Sequence, residues 1–167
     1  SYLADIFAVG IGLDREVETF SGSGIEVERG IRTNEFLETG VEGIWAAGDI
    51  AEYYHPVFKR HLLIGNWNNA FLQGRVAGLN MAARFTALGA ALPFTYIPLY
   101  AIDVLGMHIA FLGDVSLAKG REGRTYVSRF SSEGGEGAWY ERFGLEDGKL
   151  VSAVFINKFE DKRIIEV

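Results

Sequence analysis

Apolar residues in this chain come in short bursts broken by glycine, and only once in a stripe of helical period. The first burst, Asp5-Ile6-Phe7-Ala8-Val9, stops at Gly10 and Gly12. A run this short, rich in β-branched and aromatic side chains, predicts a strand buried in a parallel sheet. Residues 13–24 are polar and turn-rich. Residues 24–28 alternate in the manner of an edge strand or hairpin arm, and residues 30–34 continue in that style. A second buried strand is predicted over residues 43–49, where Ala46, Ala47 and Gly48 leave little side-chain bulk. Residues 52–60, with His55 and Pro56, read as a loop.

From Trp67 to about Phe85 the period lengthens. Trp67, Ala70, Phe71, Gly74, Ala77 (or Gly78) and Met81 recur at three- and four-residue steps, predicting an amphipathic helix whose packed face is made of small residues. Asn66 or Asn68 is suited to cap it by accepting a bond from a free backbone N–H. Gly89 and then Pro93 bring it to an end. Beyond Pro93 the period returns to two. Residues 96–104, 107–112, 124–130, 138–143 and 149–156 read as strands, with turns at Gly106, Gly120/Gly123, Gly134-Gly135 and Asp147-Gly148. Asp-Gly between alternating runs is a strong hairpin signal. The second half is therefore expected to be an antiparallel meander, divided from the first near residues 86–93. Residues 131–137 read as a flexible loop.

The composition, 49% hydrophobic and 13% aromatic over 167 residues, suits one ordinary domain or two small ones with a real core. A net charge of −6 gives no attraction to a phosphate backbone, so nucleic acid is not an expected partner. No apolar run approaches the roughly 20 residues that span a bilayer, so no membrane span is expected. The absence of cysteine removes disulfides, Cys-based metal sites and thiol nucleophiles, and fits a cytoplasmic location. The opening Ser1-Tyr2-Leu3-Ala4-Asp5 lacks both an initiator Met and a basic signal region, as an internal piece of a longer protein would.

Catalytic and metal chemistry find little support. His55, His61 and His108 are scattered, so no metal site is expected. Gly22-Ser23-Gly24 has no helix after it, unlike a nucleophile elbow. Gly10-Ile11-Gly12 is followed by Arg15 where a phosphate-binding fingerprint needs glycine. No catalytic acid, base or nucleophile is expected.

The informative stretch is Thr39-Gly40-Val41-Glu42-Gly43-Ile44-Trp45-Ala46-Ala47-Gly48-Asp49. A predicted strand here ends in Gly-Asp at a carboxyl edge, where open α/β sheets bind ligands. The glycine admits close approach and the aspartate can accept bonds from sugar hydroxyls. A bare Gly-Asp is equally an ordinary Asx turn.

The stretch resembles the second flavin fingerprint, Thr-x-x-x-x-(Ile/Val)-(Tyr/Phe/Trp)-Ala-x-Gly-Asp, of the FAD-dependent pyridine nucleotide-disulfide oxidoreductases. Residues 4–12 resemble the end of that family's NAD(P)H domain and the crossing back. Residues 24–26 and 30–34 resemble the small β element before the fingerprint, and residues 67–81 the helix after it. The helix and the segment from Pro93 through Tyr96 to Pro98 are most similar to the ferredoxin/rubredoxin reductase and apoptosis-inducing-factor-like branch. Two departures stand out: Tyr100-Ala101-Ile102-Asp103 lacks that branch's Trp, and Gly65-Asn66 replaces acidic residues found in some relatives.

The resemblance implies a partial FAD-binding α/β domain over residues 1–90, its first 12 or so belonging to the NAD(P)H domain, then a mainly antiparallel β (α+β) third domain over residues 91–167. It implies the carboxy-terminal fragment of an enzyme that passes hydride from NAD(P)H to FAD and electrons on to an acceptor protein or small acceptor, the fragment alone being inactive. Asp49 would contact the ribityl chain with Gly48 allowing its approach, Asn66 and Trp67 would lie near the flavin, and Ala70 would keep the helix close. Two alternatives stay open: an interaction module forming a homodimer through the second domain, and a small-ligand carrier without redox activity.

Overall fold

A computed structural model of the chain describes residues 3–86, 89–115, 123–131 and 137–158. The first half holds a three-stranded sheet in which β2 (Ala51–His55) runs parallel to β1 (Ile31–Thr33) and antiparallel to β3 (Arg60–Leu62). Helix α1 (Trp67–Phe85) follows, with the predicted bounds. Leu37, Tyr53, Leu62, Ala77 and Phe94 form the core that joins sheet, helix and connecting loops. Tyr53 is fully buried and meets Phe94 edge-on at 5.2 Å, a geometry worth about 0.5–1.5 kcal/mol beyond burial.

The second half is a five-stranded antiparallel sheet built from β4 (Leu99–Val104), β5 (Met107–Gly113), β6 (Arg124–Phe130), β7 (Tyr140–Glu146) and β8 (Lys149–Ile156). The two halves give the expected class, mixed α/β followed by mainly antiparallel β. Leu105-Gly106 and Asp147-Gly148 both have positive φ at the two turn positions (50° and 75°, 49° and 73°), the requirement of a type I′ hairpin. The turns expected at Gly120 and Gly134-Gly135 lie outside the described residues.

Several expectations need correction. The order in the sheet is β4-β5-β8-β7-β6, not that of a simple meander, because β8 pairs with β5 as well as β7. Residues 5–9 join no strand among the described residues, and Ile6 and Phe7 are 86% and 87% exposed. An apolar run makes a strand only where another edge offers it hydrogen bonds. The strand expected over residues 43–49 reduces to one bridge, Glu38 to Trp45.

The loop expected over residues 52–60 is instead most of β2, a turn at 56–59 and the start of β3. Two of its polar residues, Glu52 and His55, are inside and bonded. Glu52, 1% exposed, accepts from the N–H groups of Arg29 and Gly30 and pairs with the Arg29 guanidinium at 2.7 Å. His55, 0% exposed, donates through Nε2 to the Tyr96 carbonyl (3.1 Å) and accepts the Phe58 N–H at Nδ1 (3.4 Å), which defines the neutral tautomer.

Helix α1 also turns a different face inward. Its buried residues are Asn69, Gln73, Ala77 and Asn80, whereas Trp67 is 79% and Phe71 57% exposed. Loops cover this face beside Tyr53 and Leu62 of the sheet, and its amides bond loop backbone: Asn69 Nδ2 donates to the Ile64 carbonyl, and Asn80 bonds the carbonyls of Phe36 and Leu92 and the Leu92 N–H.

These buried groups set an acid limit. Burial pushes the His55 imidazole below its ordinary value of 6.5, the Tyr96 carbonyl only partly opposing it. Burial alone would raise Glu52, but hydrogen bonds from Arg29 and the charges of Arg29 and Arg32 outweigh it and hold the carboxyl below 4.5. In both cases the unfolded chain binds the proton first, so stability is lost as pH falls: from near 6.5 for His55, and from near 4.5 for Glu52. Thermal melts across pH 7.5 to 4 should show the midpoint declining in that direction; a midpoint that rises on acidification would contradict these assignments.

Candidate functional site

The route to Asp49 is shaped by local backbone chemistry. Asn34 Oδ1 accepts the N–H groups of Phe36 and Glu38, turning the chain so that Leu37, at φ 64°, points into the core with 0% exposure. Thr39 Oγ1 accepts the Val41 N–H, and the Thr39 N–H donates to the Ile44 carbonyl, closing a tight loop. The chain then runs through Ala46, which donates to the Leu37 carbonyl, to Gly48 at φ 88°. A side chain at Gly48 would be strained by that φ, and its Cβ would lie 3.7 Å from the Cβ of Ala70.

Gly48 and Asp49 are anchored on both sides. The Gly48 N–H donates to Gln73 Oε1 (2.7 Å), and its carbonyl accepts the Ala51 N–H (3.0 Å). The Asp49 carbonyl accepts from Arg15 Nε (2.6 Å). Its carboxylate lies against Gly65, where a Cβ would stand 3.1 Å from Oδ2. Among the described residues no group donates a hydrogen bond to that carboxylate.

Asn66 caps α1, its Oδ1 accepting the Asn69 N–H at 2.8 Å, so of the two candidate caps Asn66 is used. The first helical bond runs from the Ala70 N–H to the Asn66 carbonyl, which leaves the N–H groups of Trp67 and Asn68 outside the helical ladder. Gly48, Asp49, Gly65, Asn66 and Ala70 are thus gathered at one place, the mouth of α1. The Trp67 indole sits apart from this cluster on the outer face of the helix, stacked on Phe71 at 5.6 Å and 10°.

A cleft of about 260 Å³ opens beside the cap. Ile64 and Asn66 line one wall, and Pro98, Tyr100 and Phe111 of the second half line the other. Tyr100, stacked on Phe111 at 6.2 Å, occupies the stretch where Trp is missing. Sequence patterns singled out none of Gly65, Gln73 and Tyr100 as site residues. The i, i+4 pair Asn69 and Gln73, polar on a helix read as small and apolar, was the signal available.

Residues 1–74 match the family described as pyridine nucleotide-disulphide oxidoreductase. Over 158 residues the chain is 28% identical to the ferredoxin–NAD(+) reductase component of the anthranilate 1,2-dioxygenase system of Burkholderia cepacia, covering 95% of this chain and 36% of that protein. The crystal structure of Fdr9 superposes with a TM-score of 0.75 at 22% identity, covering 94% of this chain and 37% of that one. NADH:rubredoxin oxidoreductase from Clostridium acetobutylicum gives a TM-score of 0.62 at 27% identity, covering 93% and 35%. The chain therefore spans about a third of the length of these relatives. It is related to NAD(P)H-dependent flavoprotein oxidoreductases such as ferredoxin reductases.

Proposed function

Taking residues 1–74 as a segment of the pyridine nucleotide-disulphide oxidoreductase family, we propose that this chain supplies part of the flavin cradle and the third domain of an NAD(P)H-dependent flavoprotein oxidoreductase. The observation that carries the reading is the Asp49 carboxylate, unmatched by any donor among the described residues and held against Gly65 at the mouth of α1. Bound there, FAD would supply hydride acceptance from NAD(P)H and onward electron transfer.

The chain's own groups fit that cofactor chemically. Asp49 offers acceptor oxygens to ribityl hydroxyls, and Gly48 and Ala70 keep backbone and helix close enough for contact. Asn66 fixes the first turn of α1, so that the N–H groups of Trp67 and Asn68 and the helix dipole favour negative charge at its mouth. Tyr100 offers an aromatic wall from the second half. Trp67 serves through its backbone, its ring lying outside the cradle. The acceptor is a small iron–sulfur protein, oxygen or a quinone, and the protein works in the cytoplasm.

Protein expressed from the complete gene should be yellow and should bleach when NADH or NADPH is added without oxygen. A colourless protein that shows no saturable change with added FAD would sink the proposal. Asp49→Ala in that protein should weaken FAD retention by about 1.5–3 kcal/mol, the scale of hydrogen bonds to a charged acceptor; FAD content after gel filtration measures it.

A second reading, self-association through the five-stranded sheet, is favoured by Tyr100, Tyr126 and Phe130. They share one face of the sheet by register and are 47%, 46% and 67% exposed. Sedimentation velocity showing a monomer at all concentrations would dismiss it.

A further inference from the structure

We propose that Gln73 is a positioning residue for the flavin cradle, acting through the Gly48 N–H to aim Asp49. The inference rests on the flavin reading above. Gln73 is 0% exposed, and its Oε1 accepts the Gly48 N–H at 2.7 Å across a sequence separation of 25 residues. Gly48 stands at φ 88°, so the direction of the next residue depends on how its two peptide groups are held. One is held by the Ala51 N–H and the other by Gln73.

One turn earlier on the same helical face, Asn69 is equally buried and donates through Nδ2 to the Ile64 carbonyl at 2.9 Å. Two buried amides on one rigid helix thus tie down both lips of the gap, residues 48–49 and residues 64–65. The close approach of Asp49 Oδ2 to Gly65 follows from this arrangement.

Packing alone does not call for Gln73. Its Nε2 has no hydrogen-bond partner among the described residues, and a buried unsatisfied amide costs on the order of 1–3 kcal/mol. An apolar side chain of similar volume, such as Met, would fill the same space without that cost. Met would replace the amide oxygen that accepts from Gly48 with a thioether sulfur, a much weaker acceptor.

The test uses protein expressed from the complete gene and measures FAD dissociation constants by fluorescence quenching for the parent, Gln73→Met, Asp49→Ala and the double variant. Amide hydrogen exchange at Gly48 provides a readout independent of the cofactor. Gln73→Met should raise the dissociation constant about fivefold to tenfold, the scale of one hydrogen bond, and should speed exchange at Gly48. In the Asp49→Ala background the same change should have little further effect, because the two act as one unit. If Asp49→Ala weakens FAD but Gln73→Met leaves both affinity and exchange unchanged, the inference fails and the flavin reading stands. Equal weakening in both backgrounds would mean that Gln73 acts through general stability, which also overturns it. A protein that takes up no FAD removes the reading and the inference together.

Discussion

Gly113→Ala is expected to destabilise the folded chain by about 2–5 kcal/mol, combining left-handed strain with a backbone clash. Gly113 closes β5 at φ 71°, and a Cβ there would lie 2.2 Å from the Val151 carbonyl oxygen and 3.3 Å from the Ser152 Cα. Both obstacles are main chain in the neighbouring strand β8, so no rotamer change relieves them. The Gly113 N–H also donates to the Pro98 carbonyl at 2.8 Å, tying the end of β5 to the entry of β4 beside the cleft. Gly74→Ala is the control. With nothing within 4 Å of its Cβ position, on the exposed face of α1, it should stabilise by about 0.5–1 kcal/mol through helix propensity. Urea denaturation of the two variants compares them directly; a Gly113→Ala midpoint equal to the parent's would contradict the packing described.

Asp114→Ala should cost about 3–5 kcal/mol, the range for removing one partner from a buried ion cluster. Asp114 and Arg124 have side chains only 3% exposed, and Asp114 Oδ2 accepts from both Arg60 and Arg124. Glu146 completes the cluster, pairing with Arg60 at 2.7 Å and accepting from Arg124 Nε at 2.7 Å. Burial alone would raise the Glu146 carboxyl, but the hydrogen bonds and charges of Arg60 and Arg124 hold it below the ordinary range. Arg60 belongs to β3 and the other three residues to the second half, so the cluster clasps the two sheets together. Without the Asp114 carboxylate, Arg60 and Arg124 keep two positive charges against the single carboxylate of Glu146. Adding Arg124→Met should recover part of the loss, because it removes the excess buried positive charge as well. Chemical denaturation of the single and double variants decides the matter, and additive losses would argue against a shared cluster. The clasp bears on the site because it holds Tyr100 and Phe111 opposite Asn66.

Elements governed by neighbours in sequence are legible from the residues alone. The 3.6-residue period and a cap at Asn66 or Asn68 mark α1 close to its observed bounds, since both act within one or two turns. Alternation marks β6 and β8 at theirs, and Asp147-Gly148 marks the hairpin that joins β7 to β8, because a type I′ turn admits few residue pairs. That Gly48, Asp49, Asn66 and Ala70 would lie near one another is what the family resemblance implies, and residue spacing alone does not give it.

Tertiary contacts decided the rest. Whether residues 5–9 become a strand depends on a partner edge. Whether Glu52 and His55 sit in a loop or in the buried strand β2 depends on Arg29 and Tyr96, which lie 23 and 41 residues away in sequence. The inward face of α1 carries Asn69 and Gln73 because the Ile64 carbonyl and the Gly48 N–H need partners there, and only the tertiary packing brings those groups to the helix. Local propensity determined where this chain turns helical or extended. Hydrogen bonds and charges from distant segments determined which side faces in, and so where the carboxylate of Asp49 points.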